Sequence, residues 1–290
     1  MQKIRIGTRE SRLAVAQAKL VAEYIHGSCE GMEPELVTMK TTGDKILDRT
    51  LDQVGGKGLF VKELEHSLRE GSCDIAVHSL KDVPMETTED LPLLGVSARE
   101  DARDVLVLPK DTAILNPSLP LGTSSPRRVI QLRKLFPQME IKSVRGNILT
   151  RLDKLDRGDY SALVLAAAGL KRLGLEGRIS RYFSVEEMLP AAGQGILAVQ
   201  GRAGEDYGYL RGFFNKNISF CVQAERSFVR ALNGGCSLPV AAYAVIDSKG
   251  ILHLSGMYAE ENSLQYQRYS ISGRKEDAEI LGKKLAEEVL

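Results

Sequence analysis

Apolar positions in the first two-thirds of the chain follow two alternating rhythms. Short, nearly continuous apolar runs predict strands buried on both faces, and stretches with apolar residues three or four apart predict helices. Lys3–Gly7 and Glu35–Met39 are predicted strands; the helix between them starts at Ser11 and turns Leu13, Ala16, Leu20 and Tyr24 inward. A helix over Leu59–Leu68 leads into the buried run Asp74–His78. Val105–Leu108, Ser118–Gly122, Ile141–Val144 and Ala162–Ala166 are further predicted strands, with helices over Pro126–Leu135 and Asn147–Asp156. Pro126 suits a first helical turn, where its missing N–H costs little. The alternation predicts an α/β fold of mostly parallel sheets, with ligand-binding groups at the C-terminal ends of strands.

After residue 217 the rhythm changes. Ile218–Leu232 is a predicted helix with Phe220, Ala224, Phe228 and Leu232 on one face. The glycine-rich stretch NGGCSLP (233–239) must be a loop. Predicted strands near 240–247, 251–258 and 264–272 and a helix over 275–290 complete a small α+β domain of αβββα order. The polar stretch Ser97–Arg103 and the small-residue stretch Met188–Gly195 are placed to carry the chain from a first lobe to a second and back. The expected division is therefore 1–97 with 196–214, then 101–190, then 217–290. Two crossings between α/β lobes would enclose a cleft and permit hinge motion.

Composition narrows the class. With 290 residues, 43% hydrophobic and 27% charged, the chain can build a sizeable core, which excludes intrinsic disorder as its main state. No apolar run is long enough to span a bilayer, and the N-terminus enters a strand with no signal-like core, so a cytoplasmic protein is expected. Four cysteines without CxxC or zinc spacing fit reduced thiols and no metal site. A net charge of +1 argues against a polyanion binder, yet residues 121–181 carry nine Arg and four Lys against five acids, a local +8. Arginine excess favours forked contacts to carboxylate or phosphate; a solvated basic face is the plainer alternative.

Candidate chemistry gathers at strand–helix junctions. GTRES (7–11) offers helix N-terminal N–H groups, Arg9 and Ser11 to an oxyanion, though Ser11 serves equally as an N-cap. GTSSPRR (122–128) repeats the arrangement with Thr123, Ser124, Ser125, Arg127 and Arg128; cations in a first turn oppose the helix dipole unless an anion sits among them. VRGN (144–147) adds Arg145, with Arg151 one turn on. GGKG (55–58) lacks the spacing of an ATP-binding loop but can carry Lys57 over a cleft. In HSLKDVP (78–84), Asp82 is the best carboxylate for acid–base work or cation stabilisation, against the alternative of a surface ion pair with Lys81; His78 suits a hydrogen-bonded structural role. Cys236 lies in a glycine-bounded loop, where it is either a reactive thiol or an incidental one.

HSLKDVP, GTSSPRR, SVRGNILTRLDKL, AAAGLKRLG, LPAAGQG and NGGCSLPV occur in the order found in the porphobilinogen deaminase (hydroxymethylbilane synthase) family. IGTRESRLAVAQA and TTGDKILDRTLDQVGGKGLFVKELE also resemble that family, so the likeness runs through the whole chain. The resemblance implies stepwise coupling of four porphobilinogen units, with loss of ammonia, into a linear tetrapyrrole. It implies a dipyrromethane cofactor on Cys236 and a catalytic role for Asp82 in ammonia loss and cation stabilisation. Arg9, Arg127, Arg128, Arg145, Arg151 and Arg172 match arginines that hold acetate and propionate groups. Ser11, Lys57, Ser79, Lys81, Thr123, Ser125 and Gln194 occupy matching polar positions. Of these, Lys81, Thr123, Ser125, Arg127, Arg128 and Arg145 are the implied cofactor-binding set. The implied fold has two lobes like those of periplasmic binding proteins and a third αβββα domain bearing the cysteine loop. Gln200 and Gly201 depart from the pattern, standing where the family often has an acidic residue.

The chain is expected to act as a monomer, binding neither nucleic acid nor membrane. The alternative function is a non-catalytic two-lobe binding protein for an anionic small molecule, which would carry no covalent group.

Overall fold

The computed structural model describes residues 1–45, 61–232, 239–260, 263 and 265–289. In chain order the strands of the described residues are β1 (Gln2–Arg9), β2 (Met32–Met39), β3 (Ile75–Ser79), β4 (Leu93–Val96), β5 (Asp104–Val107), β6 (Leu121–Gly122) and β7 (Ile141–Lys142). They continue with β8 (Ala162–Ala166), β9 (Arg181–Tyr182), β10 (Leu197–Gly201), β11 (Ala241–Ile246), β12 (Ile251–Tyr258) and β13 (Gln267–Arg274). The chain divides into two units, Met1–Arg99 with Ile196–Ser219 and Glu100–Gly195 with Phe220–Leu290.

In the first unit the sheet order is β2-β1-β3-β10-β4. Strands β1, β2 and β3 are parallel, whereas β10 runs antiparallel to both β3 and β4. Ile4, Ile6, Ile75, Val77 and Val199 from this sheet pack on Ala18, Val21 and Ile25 of the helix Arg12–Ser28. That helix is rotated from the expected face: Ala14, Gln17, Ala18, Val21 and Ile25 are buried, while Leu20 is exposed. Small Ala14 and Ala18 let the helix approach the sheet closely, so shape rather than the larger side chains selects the stripe.

In the second unit the order is β7-β6-β8-β5-β9, with β6 parallel to β7 and β8, and β5 antiparallel to β8 and β9. The two sheets thus share one plan, three parallel strands followed by an antiparallel pair. The expectation of mostly parallel sheets is corrected at β5 and β10. Each is the first strand after a crossing segment and enters its sheet from the opposite end, a direction that apolar patterning does not encode. β6 and β7 are shorter than expected, and β4 and β9 are edge strands that the sequence reading did not mark.

The second unit also contains an antiparallel sheet, β11-β12-β13. Ala241, Met257 and Ala259 of this segment pack against Ile130 and Leu189, giving the sheet an apolar contact with the helix Pro126–Leu135. Among the described residues no helix is long and apolar enough to cross a membrane.

Candidate active site

In each unit several candidate residues follow the ends of strands. In the first unit β1 ends in Gly7-Thr8-Arg9. A Cβ at Gly7 would lie 2.8 Å from Cys73 Sγ, so glycine is needed for the strand to pass. Ser11 is the N-cap of the helix Arg12–Ser28, its Oγ accepting from Ala14 N at 3.3 Å. Ser79 ends β3 with its Oγ 2.8 Å from Nε2 of Gln17. The chain then makes a single 3₁₀ turn, Leu80–Asp82, with Leu80 buried beneath it and Val83 N bonded to Leu80 O. This turn brings Asp82 to the surface, exposed and without an ion-pair partner among the described residues, so the surface pair with Lys81 is not what holds it. Lys81 is half-buried beside it.

His78 is buried, and its Nε2 lies 3.1 Å from Oε1 of Gln200 on β10. Burial pushes the imidazole down to about 4; the bond to Gln200 partly opposes this, and the Arg9 charge adds to it.

In the second unit β6 ends at Gly122 and Thr123 follows it, the counterpart of Gly7-Thr8 on the equivalent strand. A Cβ at Gly122 would clash with Leu163 Cδ2. Ser124 Oγ donates to Val144 O at 2.6 Å and accepts from Val144 N at 3.1 Å, tying the GTSSP loop to the loop that carries Arg145. Ser125 stands at the N-cap position of the helix Pro126–Leu135 without a side-chain cap bond, and Pro126 is in the first turn. Arg151 Nε is bound to Gly146 O at 2.7 Å. Arg172, at the end of the helix Ala167–Arg172, gives Nη2 to Gly195 O at 2.6 Å, and burial lowers its pKa to about 10.

Arg127 and Arg128 are not a solvated face: they are 4% and 7% exposed, and both bind Asp104, which is 0% exposed. Arg127 Nη1 donates to Asp104 Oδ2 at 2.7 Å and to Leu189 O at 2.6 Å. Arg128 gives Nε at 3.1 Å and Nη2 at 2.8 Å to Asp104 Oδ1, and Nη1 to Val164 O at 3.0 Å. Gln194 adds Nε2 to the same Oδ1 at 2.9 Å and to Ala102 O at 2.6 Å. Burial pushes the Asp104 carboxyl up, but the two guanidinium charges outweigh it and hold the group below its ordinary range. The cluster keeps one positive charge in excess. Gln194 Oε1 is buried with no partner among the described residues.

The anion that the first-turn arginines call for is therefore supplied in part by the protein itself. Asp104 escaped the sequence reading. The available signal was an acid heading an apolar strand, which must find a cation when buried. Gln131 and Glu225 were missed as well. Gln131 links Arg127 O, Leu189 N and Leu189 O. Glu225, fully buried, accepts from Gly193 N at 2.8 Å and Ala244 N at 2.7 Å, joining the Gln194 loop to β11. Lys57 and Cys236 lie outside the described residues. The other thiols are placed: Cys73 and Cys221 are buried and Cys29 is half-buried, and burial pushes the Cys73 thiol up, away from the reactive thiolate.

Residues 4–208 match the family model described as "Porphobilinogen deaminase, dipyromethane cofactor binding domain", and residues 219–290 match "Porphobilinogen deaminase, C-terminal domain". A curated porphobilinogen deaminase from Ruminiclostridium cellulolyticum is 53% identical over 290 residues, covering 100% of this chain and 98% of that one. Another from Acetivibrio thermocellus is 54% identical over 288 residues, covering 99% and 98%. A third, from Paraburkholderia phymatum, is 46% identical over 291 residues, covering 98% and 89%. With both family models matched in order and relatives this similar along almost its whole length, the chain belongs to the porphobilinogen deaminase family.

Proposed function

We propose that this chain is a transferase of the cytoplasm that couples four porphobilinogen units head to tail, releasing ammonia at each step, into the linear tetrapyrrole hydroxymethylbilane. The observation that carries this reading is the match to both family models across 4–208 and 219–290. The names of the relatives favour an enzyme over the alternative of a binding protein. We further read the chain as a monomer that binds neither nucleic acid nor membrane, with domains 1–97 plus 196–214, 101–190 and 217–290.

The family's dipyrromethane fits the residues present. Its acetate and propionate groups suit a buried arginine pair with one charge in excess, and its pyrrole N–H groups suit Gln194 Oε1, which has no partner among the described residues. Cys236 would hold it through a thioether, and Lys81, Thr123, Ser125, Arg127, Arg128 and Arg145 would bind its polar groups. When bound, it supplies the pyrrole carbon from which the product chain is extended.

Asp82 is suited to the chemistry because its carboxylate stands exposed at a strand end, with no ion-pair partner to neutralise it among the described residues. It would hold the proton that leaves with substrate ammonia and offset the cation that remains. Arg9, Arg145, Arg151 and Arg172 would take the carboxylates of porphobilinogen, with Ser11, Lys57, Ser79 and Gln194 as polar neighbours. Forked guanidinium contacts match the two oxygens of a carboxylate. The test is intact mass together with product formation. Purified chain from cells that make porphobilinogen should exceed its sequence mass by one dipyrromethane and should release ammonia from porphobilinogen. Unmodified mass with no ammonia release would overturn the reading.

A further inference from the structure

Among the described residues four hydrogen bonds converge on the Asp104 carboxylate, and they are unevenly divided. Oδ1 accepts three, from Arg128 Nε, Arg128 Nη2 and Gln194 Nε2, while Oδ2 accepts one, from Arg127 Nη1. Each bond consumes a donor and so defines what its partner has left to offer. Arg127 spends both Nη1 protons, on Asp104 and Leu189 O, which leaves Nε and Nη2. Arg128 keeps one proton on each Nη. Gln194 Nε2 faces two acceptors, Asp104 Oδ1 and Ala102 O, so its amide cannot flip and only Oε1 is left to meet a ligand.

We propose that Asp104 is a positioning residue of this site: it holds Arg127, Arg128 and the Gln194 amide in one geometry that presents guanidinium donors and an amide acceptor together. For the identity of the ligand the inference rests on the proposed function. A pyrrole bearing carboxylates complements both features, because its acid groups accept from guanidinium and its ring N–H donates to Oε1. A simple dicarboxylate would leave Gln194 Oε1 unpaired, at the cost of a buried acceptor without a donor.

The uneven division makes the inference specific. Asparagine at 104 has one acceptor oxygen, and the three donors on the Oδ1 side claim it. Its NH₂ then turns toward Arg127 Nη1, donor against donor. Asp104→Asn should therefore release Arg127 while Arg128 and Gln194 keep their partner. The test compares Asp104→Asn with Asp156→Asn, which breaks the Arg178–Asp156 ion pair elsewhere in the same unit. Intact mass gives the fraction of chain carrying the cofactor, a thermal melt gives folding, and steady-state kinetics separate KM from kcat. Asp104→Asn is expected to lower the loaded fraction about tenfold, the effect of one lost charged contact to the cofactor, with KM for porphobilinogen in the loaded remainder little changed because Arg127 belongs to the set that would hold the cofactor. Asp156→Asn should lose melting temperature with loading and KM unchanged. Equal behaviour of the two variants, or wild-type loading in folded Asp104→Asn, would overturn the proposal. If Asp104→Asn does not fold, Gln194→Met decides: it leaves both guanidinia paired, and an unchanged KM and loading would overturn the proposal. Failure of the unsubstituted chain to carry added mass or to turn over would instead remove the functional reading, and this proposal with it.

Discussion

Nε2 of His78 lies 3.1 Å from Oε1 of Gln200, across the antiparallel pairing of β3 with β10. Gln200 donates its Nε2 to Leu91 O at 2.9 Å and to Glu65 Oε1 at 3.3 Å, so its oxygen must face the imidazole and His78 must donate. The pair therefore fixes His78 as a donor through Nε2, and burial keeps the ring neutral, four residues before Asp82. A glutamate at 200 would set a carboxylate against Glu65 and Leu91 O, which explains how this chain accommodates an amide where the family often has an acid.

Stability should record this neutral histidine. Burial holds His78 at about 4 in the folded chain against 6.5 for the free side chain, so between those values the unfolded chain binds the extra proton. The contribution is complete above pH 6.5 and is lost as pH falls toward 4, amounting to about 3 kcal/mol. Thermal melts from pH 7.5 to pH 4 should show wild type losing this margin relative to His78→Gln. Parallel curves would show that His78 is not buried neutral.

Cys236→Ser should abolish stable attachment of the cofactor, because a hydroxyl is far less nucleophilic than a thiol near neutral pH. Cys29→Ser, Cys73→Ser and Cys221→Ser should retain it, although the two buried positions will cost stability. Intact mass of the four variants is the measurement. Normal loading of Cys236→Ser would move the attachment point elsewhere.

Arg127→Leu and Arg128→Leu each leave Asp104 with a single guanidinium partner, and breaking such a buried pair typically costs about 3–5 kcal/mol. Both should block cofactor loading or the early couplings. Lysine at either position should also be costly, since one ammonium cannot reproduce the paired contacts to Asp104 and to a main-chain carbonyl. Product formation alongside a melt separates the effects. Wild-type turnover in folded Leu and Lys variants would show that the cluster is structural alone.

For Asp82 the charge should matter more than the shape. Removing one preorganised electrostatic partner typically costs on the order of 10² to 10³ in rate. Asp82→Asn should therefore lose nearly all turnover, while Asp82→Glu, which moves the charge by about one methylene, should keep a measurable fraction. Asp82 is exposed, so both variants should melt close to wild type and Asp82→Glu should still carry the cofactor. A folded Asp82→Asn that works normally would send the search for the carboxylate elsewhere.

Much of the molecule follows from the sequence by itself, because its signals are local. Short apolar runs such as Ile75–His78 and Ala162–Ala166, too short for a helix, are satisfied as buried strands, and Pro126 and the caps Ser11 and Asn147 start helices through contacts within one turn. The candidate polar residues follow those strands and sit where the βα pattern sets them. Tertiary structure decided the rest. Strand direction at β5 and β10 depends on where each crossing segment enters its sheet. The buried stripe of Arg12–Ser28 depends on how closely the helix approaches the strands beneath it, which leaves Leu20 outside. Asp104 meets Arg127 and Arg128 only when β5 is laid beside β8 and the helix Pro126–Leu135 is packed against them. No local rule pairs groups more than twenty residues apart: a carboxylate at the head of an apolar strand must be compensated, but only the packed fold decides which cations are near enough to do so.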